Sequence, residues 1–399
     1  MFIDARLLVN DPFIYKGLYL DRPPTLTRIG SVIRYARGTE KGGQIVRHLA
    51  EVPGMANQLG NLPLSPLMGM QNTLSSVLGL TQIAAGASVL NLGVSIAGFA
   101  YMGYKLNQVQ KSLGVLQQSL ERGFNQVNTR LDAMSEQLMY IQLLVEDNRQ
   151  QQQRLARAIS HLQQATLIKE VAALKAELDD RARFPNESPR EAIKTASRVK
   201  LFLGSQAIQV TPALDAELML HTDIAIQGWA VATATEANLL LEMGRNQEAK
   251  QLLAAEVPQF RNVAERWGDN LVKAERAELA TAYRFSAPRF AGSISEERVN
   301  RIVEISKRDR ALSPDQIRRK KDEVEVEFEM SYSHQYDSPW THRQIAVAEY
   351  LDGLSELSAR LDSLESFAAL CESQNVKSSH DLLPDANAKP GLYVLSPGE

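Results

Sequence analysis

The chain has 399 residues, with 44 Lys and Arg against 47 Asp and Glu, and a formal net charge of −3. That balance excludes a general nucleic-acid binder by charge, and a hydrophobic content of 44% excludes wholesale disorder. The single cysteine, Cys371, excludes an internal disulfide framework and any multi-cysteine metal site.

Residues 1–51 carry eight basic and five acidic residues, a local charge of +3. Short apolar runs, Phe2–Val9 and Ser31–Tyr35, alternate with turn chemistry at Arg22-Pro23-Pro24 and Gly38–Gly43. This pattern predicts a small β-containing cap over 1–66, including its linker, with a hairpin near 30–49. Arg28, Arg34, Arg37, Lys41 and Arg47 suit anionic lipid heads or a partner protein, although a routine mixed surface has the same composition. The start carries Asp4 and Asp11 and no uninterrupted apolar core, so synthesis and initial residence in the cytoplasm are expected.

Residues 52–104 then contain no Asp, Glu, Lys, Arg or His, a run of 53 positions. Proline is absent from 67 to 184 and glycine from 124 to 203, which permits very long helices. The most apolar part is 76–104, SVLGLTQIAAGASVLNLGVSIAGFAYMGY. As a helix it would reach roughly 43 Å, enough to cross a hydrocarbon core of about 30 Å. Thr81, Ala84, Ser88, Asn91, Ser95 and Gly98 follow a 3-4-3-4-3 spacing and share one helical stripe. Ile83, Leu90, Val94, Ala97 and Tyr101 fall on the opposite, lipid-facing side. A small, weakly polar stripe in an apolar helix suits helix–helix packing in lipid or the wall of an aqueous pore. The buried central helix of a large soluble bundle is the competing reading of the same composition.

A heptad seam continues the stripe through Leu106, Val109, Leu113, Leu116, Leu120, Phe124, Val127 and Leu131 to Val145. Its steps alternate three and four except at Leu120 to Phe124, a stutter that locally unwinds a supercoil. The spacing predicts a long coiled coil, interrupted at Glu146–Arg154 and resuming at Leu155. The predicted units are therefore 1–66, then 67–184 as apolar helix and coiled coil, then 185–399 as a C-terminal helical domain.

In that last unit, Ser188-Pro189-Arg190-Glu191 offers a helix start. Trp229–Phe260 reads as two helices around Met243-Gly244-Arg245-Asn246, similar to one tetratricopeptide-type hairpin but without a 34-residue period. Glu323–Ser333 alternates Val324, Val326, Phe328, Met330 and Tyr332 with four glutamates, which predicts a strand over 323–333 with an acidic face. That strand could pair with the N-terminal cap. A final amphipathic helix is expected from Arg343 to Cys371, with Val347, Leu351, Leu354, Leu361 and Leu364 packed on the coiled coil. From Ser373 the chain reads as extended.

His334, Asp337 and His342 lie close together, but their spacing matches no metal motif and they read as loop and surface residues. Glu323, Glu325, Glu327 and Glu329 lack convergent partners, and Cys371 has no neighbouring His to activate it. No phosphate-binding, dinucleotide-binding, nucleophile-elbow or zincin motif occurs. The expectation is a protein that is not an enzyme and uses no cofactor or metal.

The uncharged run and the heptads over residues 64–180 resemble the α-helical pore-forming toxins, such as cytolysin A and the Bacillus tripartite enterotoxin components. The resemblance implies a mainly α fold with long coiled-coil-like helices and a helical bundle. It also implies a membrane-disrupting effector whose apolar helix is covered in a soluble form and inserts on assembly. The implied partners are a lipid membrane, further copies of the chain, and a regulatory protein or activating protease, with no nucleic acid. The chain would be cytoplasmic when made and membrane-associated when active, as fits a bacterial self-directed effector in defence. The alternative is a non-enzymatic coiled-coil scaffold, or a single-span protein with a cytosolic helical domain.

Overall fold

A computed structural model of the chain describes residues 25–29, 32–36, 45–52, 187–274, 276–331, 335–382 and 391–395, with single positions at 13, 16, 17, 144, 170, 173, 174, 176, 177, 180 and 184. The fold is mainly α. The α-helices among the described residues are α1 (Arg190–Gln209), α2 (Ala216–Glu242), α3 (Asn246–Leu271), α4 (Glu296–Ile305), α5 (Lys307–Arg310), α6 (Pro314–Met330) and α7 (Ser338–Ser373), with short 3₁₀ helices at Ala277–Leu279, Ala282–Ser286, Pro288–Phe290 and Ser379–Leu382. Four strands, β1 (Leu26–Ile29), β2 (Val32–Tyr35), β3 (Ile45–Val52) and β4 (Gly391–Leu395), form one antiparallel sheet in that order.

At the centre stands α2. Residues 222–235 are buried without interruption, which is nearly four turns, so no face of the helix meets water. Such a helix must be surrounded, and it packs against α1, α3 and α7. Its small residues, Ala225, Gly228, Ala230, Ala232, Ala234 and Ala237, let those neighbours approach. One close approach is visible at Gly204 of α1, where a Cβ would sit 3.1 Å from the Trp229 ring. Asp215 caps the start of α2 by accepting from the Leu218 N–H at 2.8 Å.

The turn expected at Met243–Asn246 is present between α2 and α3. Gly244 adopts φ +70°, the left-handed conformation that ends many helices. A Cβ there would also overlap the Lys377 carbonyl oxygen. Asn246 secures the same junction, its Nδ2 donating to the Val376 carbonyl at 2.8 Å. The α2–α3 turn is thereby docked on the chain just beyond α7.

α7, 36 residues long, reaches about 54 Å. Val347, Leu351, Leu354, Leu361 and Leu364 are all buried, as their spacing requires. Their described neighbours are α2, α3 and α4. The coiled coil expected to receive them lies outside the described residues, apart from isolated helical positions. Two of those, Leu144 and Leu174, are buried in the same core as α1–α4 and α7.

The strand expected at 323–333 is not formed. Residues up to Met330 belong to α6, and Ser331 ends it. Local chemistry at its start decides the matter: Ser313 Oγ accepts from the Gln316 N–H, the Ser313 N–H donates to Gln316 Oε1, and Pro314 occupies the first turn. Lys, Arg and Glu then favour helix, and Arg318–Asp315 and Lys320–Glu323 pair three residues apart. Helical spacing sends Val324 and Phe328 inward and leaves Val326 (50% exposed) and Met330 (79%) outside. The segment that does join the N-terminal strands is β4, whose Ala50↔Tyr393 register extends the expected β2–β3 hairpin. The expectation of an extended chain from Ser373 holds at 391–395 but not at Ser379–Leu382, which forms a short 3₁₀ helix.

Gly244→Ala is expected to lower stability by about 2 kcal/mol, read as a fall in the urea midpoint. Gly353→Ala is the control. That glycine lies in α7 with open space around it, so alanine should be neutral or raise stability by up to about 1 kcal/mol.

Candidate functional site

The stripe Thr81, Ala84, Ser88, Asn91, Ser95 and Gly98, the opposite face Ile83, Leu90, Val94, Ala97 and Tyr101, and the seam from Leu106 to Leu131 all lie outside the described residues. So do Arg37, Lys41 and His334. Across the sheet, Arg28 and Arg47 both stand opposite Ile33, while Arg34 stands opposite Thr27 and Ile45. Asp337 proves to be the cap of α7, accepting from the Trp340 N–H at 2.9 Å. Among the described residues no three His, Cys, Asp or Glu side chains converge as a metal site. None of the described helices is long and apolar enough to cross a membrane.

Four polar constellations stand out in the bundle. The first joins α1, α2 and α3. Lys200 lies 3.1 Å from Glu236 and 3.4 Å from Glu256, and the Trp229 Nε1–H donates to Glu256 at 2.8 Å. All three charged side chains are nearly covered. Burial pushes the Glu236 carboxyl above the usual range, more than the neighbouring Lys200 pulls it down. The Ser197 side chain also bonds to Glu236, and the cation and two carboxylates tie the three helices together.

The second fastens α4 to α7. Arg298 reaches Glu349 at 2.6 Å and Asp352 at 2.7 Å, and Arg301 reaches Asp352 at 2.6 Å. Burial alone would raise the Asp352 carboxyl, but Arg298 and Arg301 outweigh it and hold it below the ordinary value of 3.8. Burial would likewise lower Arg298, and Glu349 and Asp352 reverse that.

The third closes the loop after α3. Arg284 is fully buried, and its guanidinium donates to the carbonyls of Leu271, Val272 and Leu279 at 3.2, 2.5 and 2.9 Å. A cation at the end of α3 satisfies carbonyls that the helix cannot. Burial lowers the Arg284 pKa to about 10, against the pull of Asp309. Asp309 itself accepts from Thr281 Oγ1, Ser306 Oγ and the Ala282 N–H.

The fourth is aromatic. Phe290, Phe328, Tyr336 and Trp340 pack with ring centroids 4.7–6.3 Å apart. The Arg289 guanidinium lies 4.7 Å from the Phe328 centroid and 5.4 Å from that of Trp340. It also donates to the Tyr336 carbonyl at 2.7 Å. The Tyr336 hydroxyl donates to Glu327 at 2.6 Å, and burial with that carboxylate pushes its pKa up to about 12. This cluster holds the end of α6 against the start of α7.

Cys371 is buried in α7, and burial pushes its thiol up to about 12, which leaves it protonated and inert at neutral pH. The charged ties escaped the sequence reading, yet one signal was present. Arg298 and Arg301 are one turn apart on α4, as Glu349 and Asp352 are on α7, so two complementary pairs were spaced to meet. No protein family, curated protein or solved structure matches this chain.

Asp352→Asn is expected to cost about 3 kcal/mol at pH 7, because two arginines lose a buried partner. The depressed carboxyl contributes stability above 3.8 and loses it as pH falls through its lower folded value. Denaturant titrations of both proteins should therefore differ most at neutral pH and converge below 3.8.

Proposed function

We propose that the chain is a membrane-disrupting, pore-forming effector in which residues 76–104 are covered in a soluble form and insert into lipid on activation. The carrying observation is the run of 53 residues without an ionisable side chain, with a small polar stripe on one face of its most apolar part. A protein core does not demand such an absence, as α2 illustrates. That helix is buried on every side over 222–235, yet it keeps Asp223, bonded to Gln227 one turn along and near Tyr350 of α7, and just beyond it Glu236, held by Lys200 of α1. Neighbouring helices can supply partners to a buried charge; hydrocarbon cannot.

Thr81, Ser88, Asn91 and Ser95 would line the helix–helix contact or the lumen, and Ile83, Leu90, Val94 and Tyr101 would face lipid. The seam from Leu106 onward would carry the packing face into water, where copies of the chain assemble. A regulatory protein or a protease would uncover the helix. The chain would be cytoplasmic when made and membrane-bound when active, and it would perform no covalent chemistry.

Full-length protein, before and after limited proteolysis, is expected to release dye from anionic liposomes. Leu90→Lys, on the lipid-facing side, should reduce that release by at least about tenfold, since a charge at the centre of a lipid-embedded helix costs about 2.5–3.5 kcal/mol. No release in either state from monodisperse protein would overturn the proposal in favour of a scaffold.

A further inference from the structure

α6 presents an outward face that nothing else in the described structure uses. Helical spacing aligns Arg319, Asp322, Val326 and Met330 on it, flanked by Glu323 and Glu329. Val326 and Met330 are the large apolar side chains of α6 that remain exposed, at 50% and 79%. Arg319, Asp322, Glu325 and Glu329 make no ion pair among the described residues. The opposite side of the helix is the one that packs, through Val324 and Phe328, on the turns after α3 and on the aromatic cluster.

The charges on α6 are segregated. Residues 318–321 are Arg-Arg-Lys-Lys, whereas 322–329 hold five acids, Asp322, Glu323, Glu325, Glu327 and Glu329. Asp315 suits the first turn, but the last turn carries Glu327 and Glu329 and no base, the opposite of what a helix dipole favours there. An isolated exposed helix gains nothing from acids at that end. A second copy laid antiparallel cures it. Each basic half then lies along the partner's acidic half, and each acidic end lies beside the positive end of the partner's dipole.

We propose that the outward face of α6 is a self-association surface that pairs antiparallel with α6 of a second copy, about a twofold axis near residue 324. In this pairing the Arg319 stem covers the exposed Val326 and Met330 of the other copy, and its guanidinium reaches Glu329. The contact is isologous, so the same pair forms twice. Two helices of 17 residues, each about 25 Å long, bury less than the roughly 1,200–2,000 Å² of a standard interface. The association is therefore weak alone and strengthens where copies are concentrated, as on a surface. It is independent of whether residues 76–104 enter lipid, and it is measured in solution.

Cross-linking of the full chain tests it. Asp322→Cys, next to the axis, is expected to join to its own counterpart with a short bis-maleimide. Asp315→Cys, roughly 27 Å from its counterpart in an antiparallel pair, is expected not to join. The native Cys371 is buried, so unsubstituted protein is the blank. In the Asp322→Cys background, Arg319→Glu should slow joining about tenfold, and Arg319→Glu with Glu329→Arg should restore it. Failure of Asp322→Cys to join, equal joining at Asp315→Cys, or no rescue by the double reversal would each overturn the proposal.

Discussion

A helix with every face covered imposes its own architecture. α2 has no polar side to offer water, so it can exist only where at least three other elements close around it. α1, α3 and α7 do so; α1 and α3 present an apolar stripe inward and a polar one outward, whereas α7 is itself covered along most of its length. The positions of Val199 and Leu203 on α1, Leu253 and Val257 on α3, and Leu351 and Leu354 on α7 follow from that demand. The Trp229 ring fits because Gly204 has no side chain, and its indole N–H finds Glu256 across the bundle.

The charged ties sit where this packing leaves gaps. Lys200 answers Glu236 and Glu256, Arg298 and Arg301 answer Glu349 and Asp352, and Arg284 closes the end of α3. Breaking such a pair strands a charge, so these ties fix which helix faces which more than they add to total stability. α6 and the aromatic cluster lie at the edge of this system and are held mainly by rings and by Arg289.

Legibility in the sequence divides along physical lines. α7 was legible because its apolar residues recur at 3.6, and the α2–α3 turn because Gly244 stands between two apolar runs. The β2–β3 hairpin was legible from turn residues. α6 was misread because Glu-Val-Glu-Val-Glu-Phe-Glu-Met satisfies a period of two, while the deciding features, the Ser313 capping box and the paired charges, stand upstream. β4 was legible only as an extended end, since its pairing with β3 joins residues more than 300 positions apart. The ion networks depend on how α4 meets α7: the spacing within each charged pair is local, but which pair meets which is not. The proposed membrane segment is the converse case: it is read from composition alone.

The contrast between α2 and residues 76–104 carries the functional argument. Both are long, rich in small residues and poor in charge, but α2 keeps ionisable residues where a neighbour answers them. The most direct test places an environment-sensitive fluorophore at Ser88→Cys, with the buried Cys371 left native. On adding activated protein to anionic vesicles, the account predicts a blue-shifted, brighter emission that is quenched by a quencher attached to the lipid tails. Unchanged emission that only an aqueous quencher reduces would contradict it.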